Sequence, residues 1–503
     1  MSEAGDTASR EALRENTLRG VRWVSIARVA AEIAAFASMV VLAHLIDPAE
    51  FGRATLATLI SAILAGTVFR TLGAPLITRD EVEPRHIQTG LLLGVALGAV
   101  MTIVAFLVAR FAFGPLFGYR VSELGQLAAL AFLMAGAASV PRAVLMRRLD
   151  FRRTSTVDMV SLSVGMATSI GLALAGLDAE ALVIGGLVAA AIDLLLVLAA
   201  AHVPRPGWDR EAAGELASFG SSAGLASLLN AIAKNVDYGI IGARLNAAQV
   251  GLYWRAYRLG IEYQSKITGV MMELALPVYS RAKDMADMQR LRFRITRAHA
   301  IIVLPLLALF IPLAPTLVPW LFGDAWEPAV EPAQILAVAG MAAALGSGTG
   351  SFVIAAGRPW IMVRFNLALL MVFSATVYFT APHGLTAVCL GVTGARLLLL
   401  VGNYHVLLRP LLGVPVRRLW AEVVPGAVGS ATLLAVVWPL TELLEAGDVP
   451  TVALLAVATL AGAGTYLLAL RVLFPDTLTD LALVLRSVLR RGPAPSVVAP
   501  VGV

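Results

Sequence analysis

Apolar runs of about 20 residues recur along nearly the whole chain, and this repetition limits the fold more than any single motif. A helix needs roughly that many residues to cross a bilayer core of about 30 Å. The runs fall near 21–45, 53–73, 88–113, 124–145, 157–177, 180–202, 217–243, 250–277, 297–322, 331–354, 360–381, 382–407, 419–440 and 450–474. The turns between the fifth and sixth runs and between the eleventh and twelfth are the least marked. Only Gly176-Leu177-Asp178 and Pro382-His383-Gly384 signal them. Of 503 residues, 58% are hydrophobic and 14% charged, where a soluble domain carries roughly 25% charged residues. The expected class is an all-α polytopic membrane protein of about fourteen transmembrane helices, with no soluble catalytic domain. The single cysteine, Cys389, lies within an apolar run, so there is no disulfide framework.

Orientation follows from the cations. With the N-terminus in the cytoplasm, 29 of the 39 Lys and Arg residues fall on inward segments. Outward segments hold only Arg53, Arg110, Arg120 and Arg244, and are instead acidic: Asp47 and Glu50, Asp178 and Glu180, Asp324 with Glu327 and Glu331, then Glu442, Glu445 and Asp448. Both termini are therefore expected in the cytoplasm. Every outward loop is short. The two largest inward loops, 142–153 and 280–294, are basic. Residues 477–490 place Leu478, Leu481, Leu485 and Val488 at helical spacing beside Arg486 and Arg490, the pattern of an interfacial amphipathic helix or of a frayed tail.

The net charge of +6 does not imply nucleic acid, because the basic residues are scattered over short loops and form no continuous patch. The first twenty residues are polar, without a signal-peptide core or cleavage site, so the N-terminus is expected to be retained.

The chain also resembles itself at an offset of about 200 residues. Ile46-Asp47-Pro48-Ala49-Glu50-Phe51-Gly52 follows the first span, and Leu245-Asn246-Ala247-Ala248-Gln249-Val250-Gly251 follows the seventh. Pro115-Leu116-Phe117-Gly118 after the third span matches Trp320-Leu321-Phe322-Gly323 after the ninth. Repeated halves are the mark of secondary transporters in which two bundles rock about a central site. The expected division is a cytoplasmic arm (1–20), an N-lobe of six spans (21–202), a cytoplasmic linker (203–216), a C-lobe of six spans (217–407), two extra spans (408–474) and a cytoplasmic tail (475–503).

The span order, the loop Leu45–Gly52, the later Phe322–Ala329 and the turn Gly357-Arg358-Pro359 resemble the Wzx-type oligosaccharide flippases of the multidrug/oligosaccharidyl-lipid/polysaccharide exporter superfamily. The likeness covers residues 15 to 475. It implies movement of polyprenyl-diphosphate-linked oligosaccharide from the cytoplasmic to the outer leaflet of a bacterial inner membrane. It also implies membrane lipids as surroundings and polysaccharide polymerase and glycosyltransferases as associated proteins. It requires no cofactor and leaves a proton or sodium gradient as the coupling source.

Ionisable groups within a span cost at least about 2.5–3.5 kcal/mol on insertion scales, so they face a hydrated cavity or a partner. At 100° per residue, Arg255, Arg258, Glu262, Lys266 and Glu273 share one side of the eighth span, and Arg258–Glu262 and Glu262–Lys266 are spaced for i,i+4 pairs. They read as a cavity wall, against the plainer reading of self-satisfied pairs between helices. Asn230, Lys234 and Asp237 lie one turn apart on the seventh span. Arg28 and Glu32 stand at i,i+4 on the first, where an interhelical ion pair weighs equally. Arg396, aligned with Thr393 and Asn403 on the twelfth span, and Arg364 on the eleventh complete the expected translocation cavity, although Arg364 is placed to snorkel. Asp158 and Asp193 are single acids in early spans, read as structural hydrogen-bonding groups in preference to proton sites. Arginine suits a diphosphate cargo, since its planar fork binds phosphate oxygens in pairs and stays charged when buried.

Three other readings compete. A glycosyltransferase, polymerase or ligase needs acidic or nucleophilic groups on a substantial outward loop, and these loops are too short; Asp47 reads as a turn residue. An ATP-driven pump needs Gly-Lys in a P-loop, yet the residues before Lys234, Lys266 and Lys283 are Ala, Ser and Ala. A drug or metabolite exporter of the same superfamily differs only in the chemistry of its cavity. The chain is therefore expected not to be an enzyme.

Overall fold

In a computed structural model, the chain is described at residues 30–79, 81–269, 285–347, 349, 353, 359–413, 416–475 and 477. These residues form helices and turns and no strand, the solution lipid demands when each backbone N–H and C=O must find a partner within the protein. The helices are α1 (Ala30–Leu45), α2 (Pro48–Ala57), α3 (Leu59–Thr78), α4 (Pro84–Val108), α5 (Tyr119–Ala128), α6 (Ala131–Arg147), α7 (Phe151–Leu174) and α8 (Ala179–Ala201). There follow α9 (Arg210–Arg244), α10 (Ala247–Tyr257), α11 (Met285–Phe322), α12 (Val330–Gly346), α13 (Pro359–Thr380), α14 (Leu385–Gly402), α15 (Val416–Ala446) and α16 (Thr451–Leu473). By length and composition, 11 helical stretches among the described residues can cross a membrane. They coincide with expected spans two to six and nine to fourteen. The helices at spans one, seven and eight, which carry most of the expected polar site, are not among the 11.

The chain divides into two compact units, Met1–Trp254 and Arg255–Val503. In the first, α3 runs along α9, α4 along α6 and α7 along α8, while α6 also meets α3 and α8. Leu72, Leu76, Leu91, Val140, Ala143 and Leu216 close one core cluster between α3, α4, α6 and α9.

In the second unit α11 packs between α12 and α15, and α15 against α16. Helix α11 contains Pro305, Pro312, Pro315 and Pro319, each of which removes a donor and strands the carbonyl four residues earlier. Neighbouring helices fill two of these gaps. Tyr466 Oη donates to the Ile301 carbonyl at 2.8 Å, and Gln334 Nε2 donates to the Ile311 carbonyl at 2.8 Å. Proline thus survives inside an apolar helix because side chains on α16 and α12 take over the lost bonds.

The repeated Leu-Phe-Gly turns share one geometry. Gly118 (φ 97°, ψ 161°) and Gly323 (φ 90°, ψ 161°) both stand at the N-cap of the next helix, in backbone that L side chains rarely adopt.

At one end of the first unit the linker is tied down. Gly207 N–H donates to the Gln88 carbonyl, and Asp209 N–H donates to Thr89 Oγ1 at 3.0 Å while its carboxylate caps α9 through Ala212 N–H at 2.8 Å. Glu215 accepts from Arg79 and from His86 Nε2. The Glu83 N–H bonds to His86 Nδ1 at 3.1 Å, which leaves the ring proton on Nε2 to face the carboxylate. The bonds from His86, then from Arg79, hold the Glu215 carboxyl below its ordinary range. A depressed folded value means stability that is present above the unfolded value of about 4.3 and is lost as pH falls through the lower folded one. In detergent, Glu215→Gln should therefore lower the melting temperature near pH 7 and converge with wild type in acid, which flattens the profile below about pH 5. An unchanged acid limb would show that this cluster does not couple α3, α4 and α9.

Two expected loops are mostly helix. Residues 142–153 form the end of α6, a turn at 148–150 and the start of α7. Residues 285–294 belong to α11, whereas 280–284 lie outside the described residues. Long arginine side chains carry their heads past a helix end, so charge alone does not mark where the helix stops. Arg148 and Arg153 do this, donating to the carbonyls of Ala201 and Ala200. The tail beyond 477 also lies outside the described residues.

Candidate functional site

The loops that mark the sequence repeat meet each other. Gly52 on α2 and Gly251 on α10 pack reciprocally: a Cβ on Gly52 would collide with the Ala247 carbonyl, and one on Gly251 with the Pro48 carbonyl. Ala247 occupies in one motif the place Pro48 holds in the other, so the two contacts are mirror copies under the repeat. Phe51 and Trp254 stack beside them with ring centroids 5.7 Å apart. One residue before Trp254, Tyr253 Oη donates to Asp237 at 2.9 Å.

Past Tyr257 the helix widens into a π turn, Arg258–Glu262, before continuing as α-helix through 269. Helix α12 lies against this turn. Single π turns within α-helices are rare and concentrate at functional sites. Within it Arg258 Nε stands 3.6 Å from Glu262, the ion pair expected from the i,i+4 spacing. Both side chains remain partly open, at 25% and 39% exposure. One turn back, Tyr257 Oη accepts from Arg396 Nη2 of α14 at 3.3 Å, and the Arg396 guanidinium also lies 5.2 Å from the Phe373 ring of α13. Lys266, half-buried, sits 5.5 Å from the Tyr263 ring. Spans eight and twelve thus meet where Arg396 reaches Tyr257 beside the Arg258–Glu262 pair, and Lys266 lies one turn further along span eight.

Arg255 departs from the expected stripe. It is 0% exposed, its guanidinium held 4.2 Å from the centre of the Phe322 ring and 4.1 Å from that of Trp326. The π turn is the reason. A spacing of 100° per residue aligns positions 255 and 266 only along an unbroken α-helix, and the wider turn between them changes the rotation. Glu273 and Arg28 lie outside the described residues. Lys234, Glu32 and Arg364 are exposed, as are Asn230 and Asn366.

Two polar sets were not visible in the sequence as sets. His299 on α11 is 1% exposed and bonds through Nε2 to Thr268 Oγ1 at 2.8 Å; Thr268 in turn donates to Gln264. Arg292, also 1% exposed, donates to the Ser347 carbonyl at 2.8 Å and to Thr349 Oγ1 at 3.1 Å, closing the end of α12. The Gln264–Thr268 spacing of four residues was the available signal. In the first unit, Asp158 and Asp193 are not single acids: Arg142 of α6 binds both. That arginine had been assigned to a loop, which concealed the link.

Comparison with known proteins follows the same lines. The family described as "Polysaccharide biosynthesis protein" matches residues 41–331. The lipopolysaccharide biosynthesis protein WzxC of Escherichia coli (strain K12) is 25% identical over 411 residues, which cover 81% of this chain and 84% of that protein. Among solved structures, lipid II flippase MurJ in an inward closed conformation aligns with a TM-score of 0.74 at 10% identity, over 90% of this chain and 99% of that one. An inward-facing multidrug resistance MATE family transporter of the MOP superfamily aligns with a TM-score of 0.63 at 15% identity, over 78% and 98%. At these identities the two structures establish the fold. The family match takes in α2 to α11, the reciprocal glycine contact and the π turn, and runs over more than half of the sequence: the chain belongs to the polysaccharide biosynthesis protein family.

Proposed function

We propose that the chain is a flippase, not an enzyme, that carries polyprenyl-diphosphate-linked oligosaccharide from the cytoplasmic to the outer leaflet by alternating access. In this reading fourteen spans form two six-helix lobes and two added helices, with both termini in the cytoplasm of a bacterial inner membrane. The lopsided distribution of Lys and Arg supports that orientation. The names of WzxC and MurJ, and membership of a polysaccharide biosynthesis family, support the cargo class. The observation that carries the reading is the partly open cationic set beside a π turn: Arg258 and Lys266 on span eight, whose described residues are not among the apolar spans, and Arg396 on span twelve. Guanidinium forks match the oxygens of a diphosphate, which cannot cross hydrocarbon bare. A hydrated path for the headgroup lets the polyprenyl tail stay in lipid.

The reading is tested by flipping of a fluorescent polyprenyl-diphosphate oligosaccharide in proteoliposomes. Asp448→Cys, labelled only from outside, reports orientation in the same vesicles. Wild type should flip the lipid; Arg258→Ala, Lys266→Ala and Arg396→Ala should melt as wild type does and lose tenfold or more of the rate. Variants that flip at the wild-type rate would remove the cationic set from the path. The fold shared with a multidrug transporter favours one alternative, an exporter of organic solutes. Wild-type protein that moves an organic cation and leaves the lipid in place would establish it.

A further inference from the structure

Three charged side chains meet between α6, α7 and α8. Arg142 donates through Nη1 to Asp158 at 2.7 Å and through Nη2 to Asp193. All three belong to helical stretches long and apolar enough to cross a membrane, α6 together with α5 as Tyr119–Arg147. The meeting point lies about 8–12 Å along each helix from the ends that carry Arg147, Arg148 and Arg153. Arg142 and Asp193 are mostly covered, at 21% and 23% exposure, while Asp158 is 49% exposed.

The other charges described on the packed helices pair near the helix ends or are exposed, as Arg152 is. Arg147 donates to the carbonyls of Leu76 and Arg79, and Arg79 pairs with Glu215 at that end of α3. Arg120 pairs with Glu50 and Glu180 at the opposite end, and Arg70 of α3 is exposed. Among the described residues, Arg142 and Asp158 are the charges that act on Asp193, and the two aspartates those that act on Arg142. The cluster therefore holds two carboxylates against one guanidinium, an excess of one negative charge within spanning helices.

Such an excess is not left bare in a low-dielectric layer. A metal ion is a poor remedy, because the guanidinium already occupies an oxygen of each carboxylate and repels a second cation. Metal sites of hard cations also need several oxygens, and among the described residues no group of three or more His, Cys, Asp or Glu is placed to hold one. A proton meets the need at no cost in space. We propose that Asp158, Asp193 and Arg142 form a proton-binding site, in which the two carboxylates share one exchangeable proton that Asp158 exchanges with the surroundings. One guanidinium bridges both carboxylates, so the proposed proton belongs to the cluster and not to either acid alone. Coupling of this proton to cargo movement rests on the flippase reading; proton binding does not.

The two parts are separated by measurement. Purified wild-type protein in detergent is shifted from about pH 8 to about pH 5 and its proton uptake counted, with the carboxylic-acid band followed by infrared spectroscopy. Asp158→Asn and Asp193→Asn each leave a neutral Arg–Asp pair, so both should fold, as melting curves check. Each should take up one proton fewer per chain than wild type and lack one titrating carboxylic-acid band. Added sodium should leave the wild-type count unchanged. Equal uptake in all three proteins, or uptake suppressed by sodium, would overturn the site. In proteoliposomes both variants should lose acceleration by an imposed pH gradient and keep the response to an imposed potential. Variants that still respond to the pH gradient would overturn the coupling. Wild type that gains the extra proton but flips no lipid would overturn the flippase reading and leave the site standing.

Discussion

Alanine at Gly52 or Gly251 is expected to destabilise the protein by about 3 kcal/mol, and valine at either position to prevent accumulation of folded protein. Overpacking usually costs 1–3 kcal/mol because neighbouring side chains yield. Here the obstacle to the new Cβ is a backbone carbonyl, Ala247 in one case and Pro48 in the other, each fixed in the first turn of a helix. Movement apart would also open the Phe51–Trp254 stack. Both substitutions attack one contact, so the double variant should cost less than the two singles added together. Gly186→Ala is the control, since nothing lies within 4 Å of its added Cβ, and mid-helix alanine is expected to be neutral or stabilising. Thermal melts in detergent of the four variants decide the matter. If Gly52→Ala and Gly251→Ala melt with wild type, the close approach of the two repeated loops is not part of the stable fold.

The same contact shows what a single sequence can disclose. Two glycines 199 positions apart were legible as equivalent because each closes a similar seven-residue motif. That they touch was not legible, since nothing in either motif names its partner. The spanning helices were readable because hydrophobic length is a local property, and helices α3 to α8 and α11 to α16 lie where apolar runs lie. Helix ends were less readable, because proline at Pro48 and Pro84 starts a helix that charge and polarity alone place in a loop. The polar site was readable only as residue types. Arg258 with Glu262 followed from spacing, whereas the tyrosine bridge from Arg396 to Tyr257 joins residues 139 apart. Arg142 shows the same limit in another form: assigning it to a loop severed it from Asp158 and Asp193. Periodicity assumes an unbroken α-helix, and one π turn is enough to send Arg255 elsewhere.

That displacement gives a sharp expected result at Arg255 itself. A side chain lining a path for phosphate and one clamped between two rings respond differently to the same substitutions. Clamped between Phe322 and Trp326, the guanidinium contributes cation–π attraction to two faces and fills the space between them. Arg255→Ala should therefore cost about 3 kcal/mol, from lost cation–π contact and from the void left behind. Arg255→Lys should recover only part of this, because an ammonium lacks the flat face that lies between rings. Arg255→Met should recover most of it: a buried ion replaced by an apolar chain of similar length is often neutral in stability. Flipping should follow the same order, with methionine close to wild type and alanine lowest. A cargo-binding arginine predicts the opposite pattern, in which methionine and alanine melt like wild type and are equally inactive. Melting temperature and flipping rate measured on the same three variants therefore separate a wall of the path from a rivet at its edge. The burial of Arg255 on both ring faces favours the rivet.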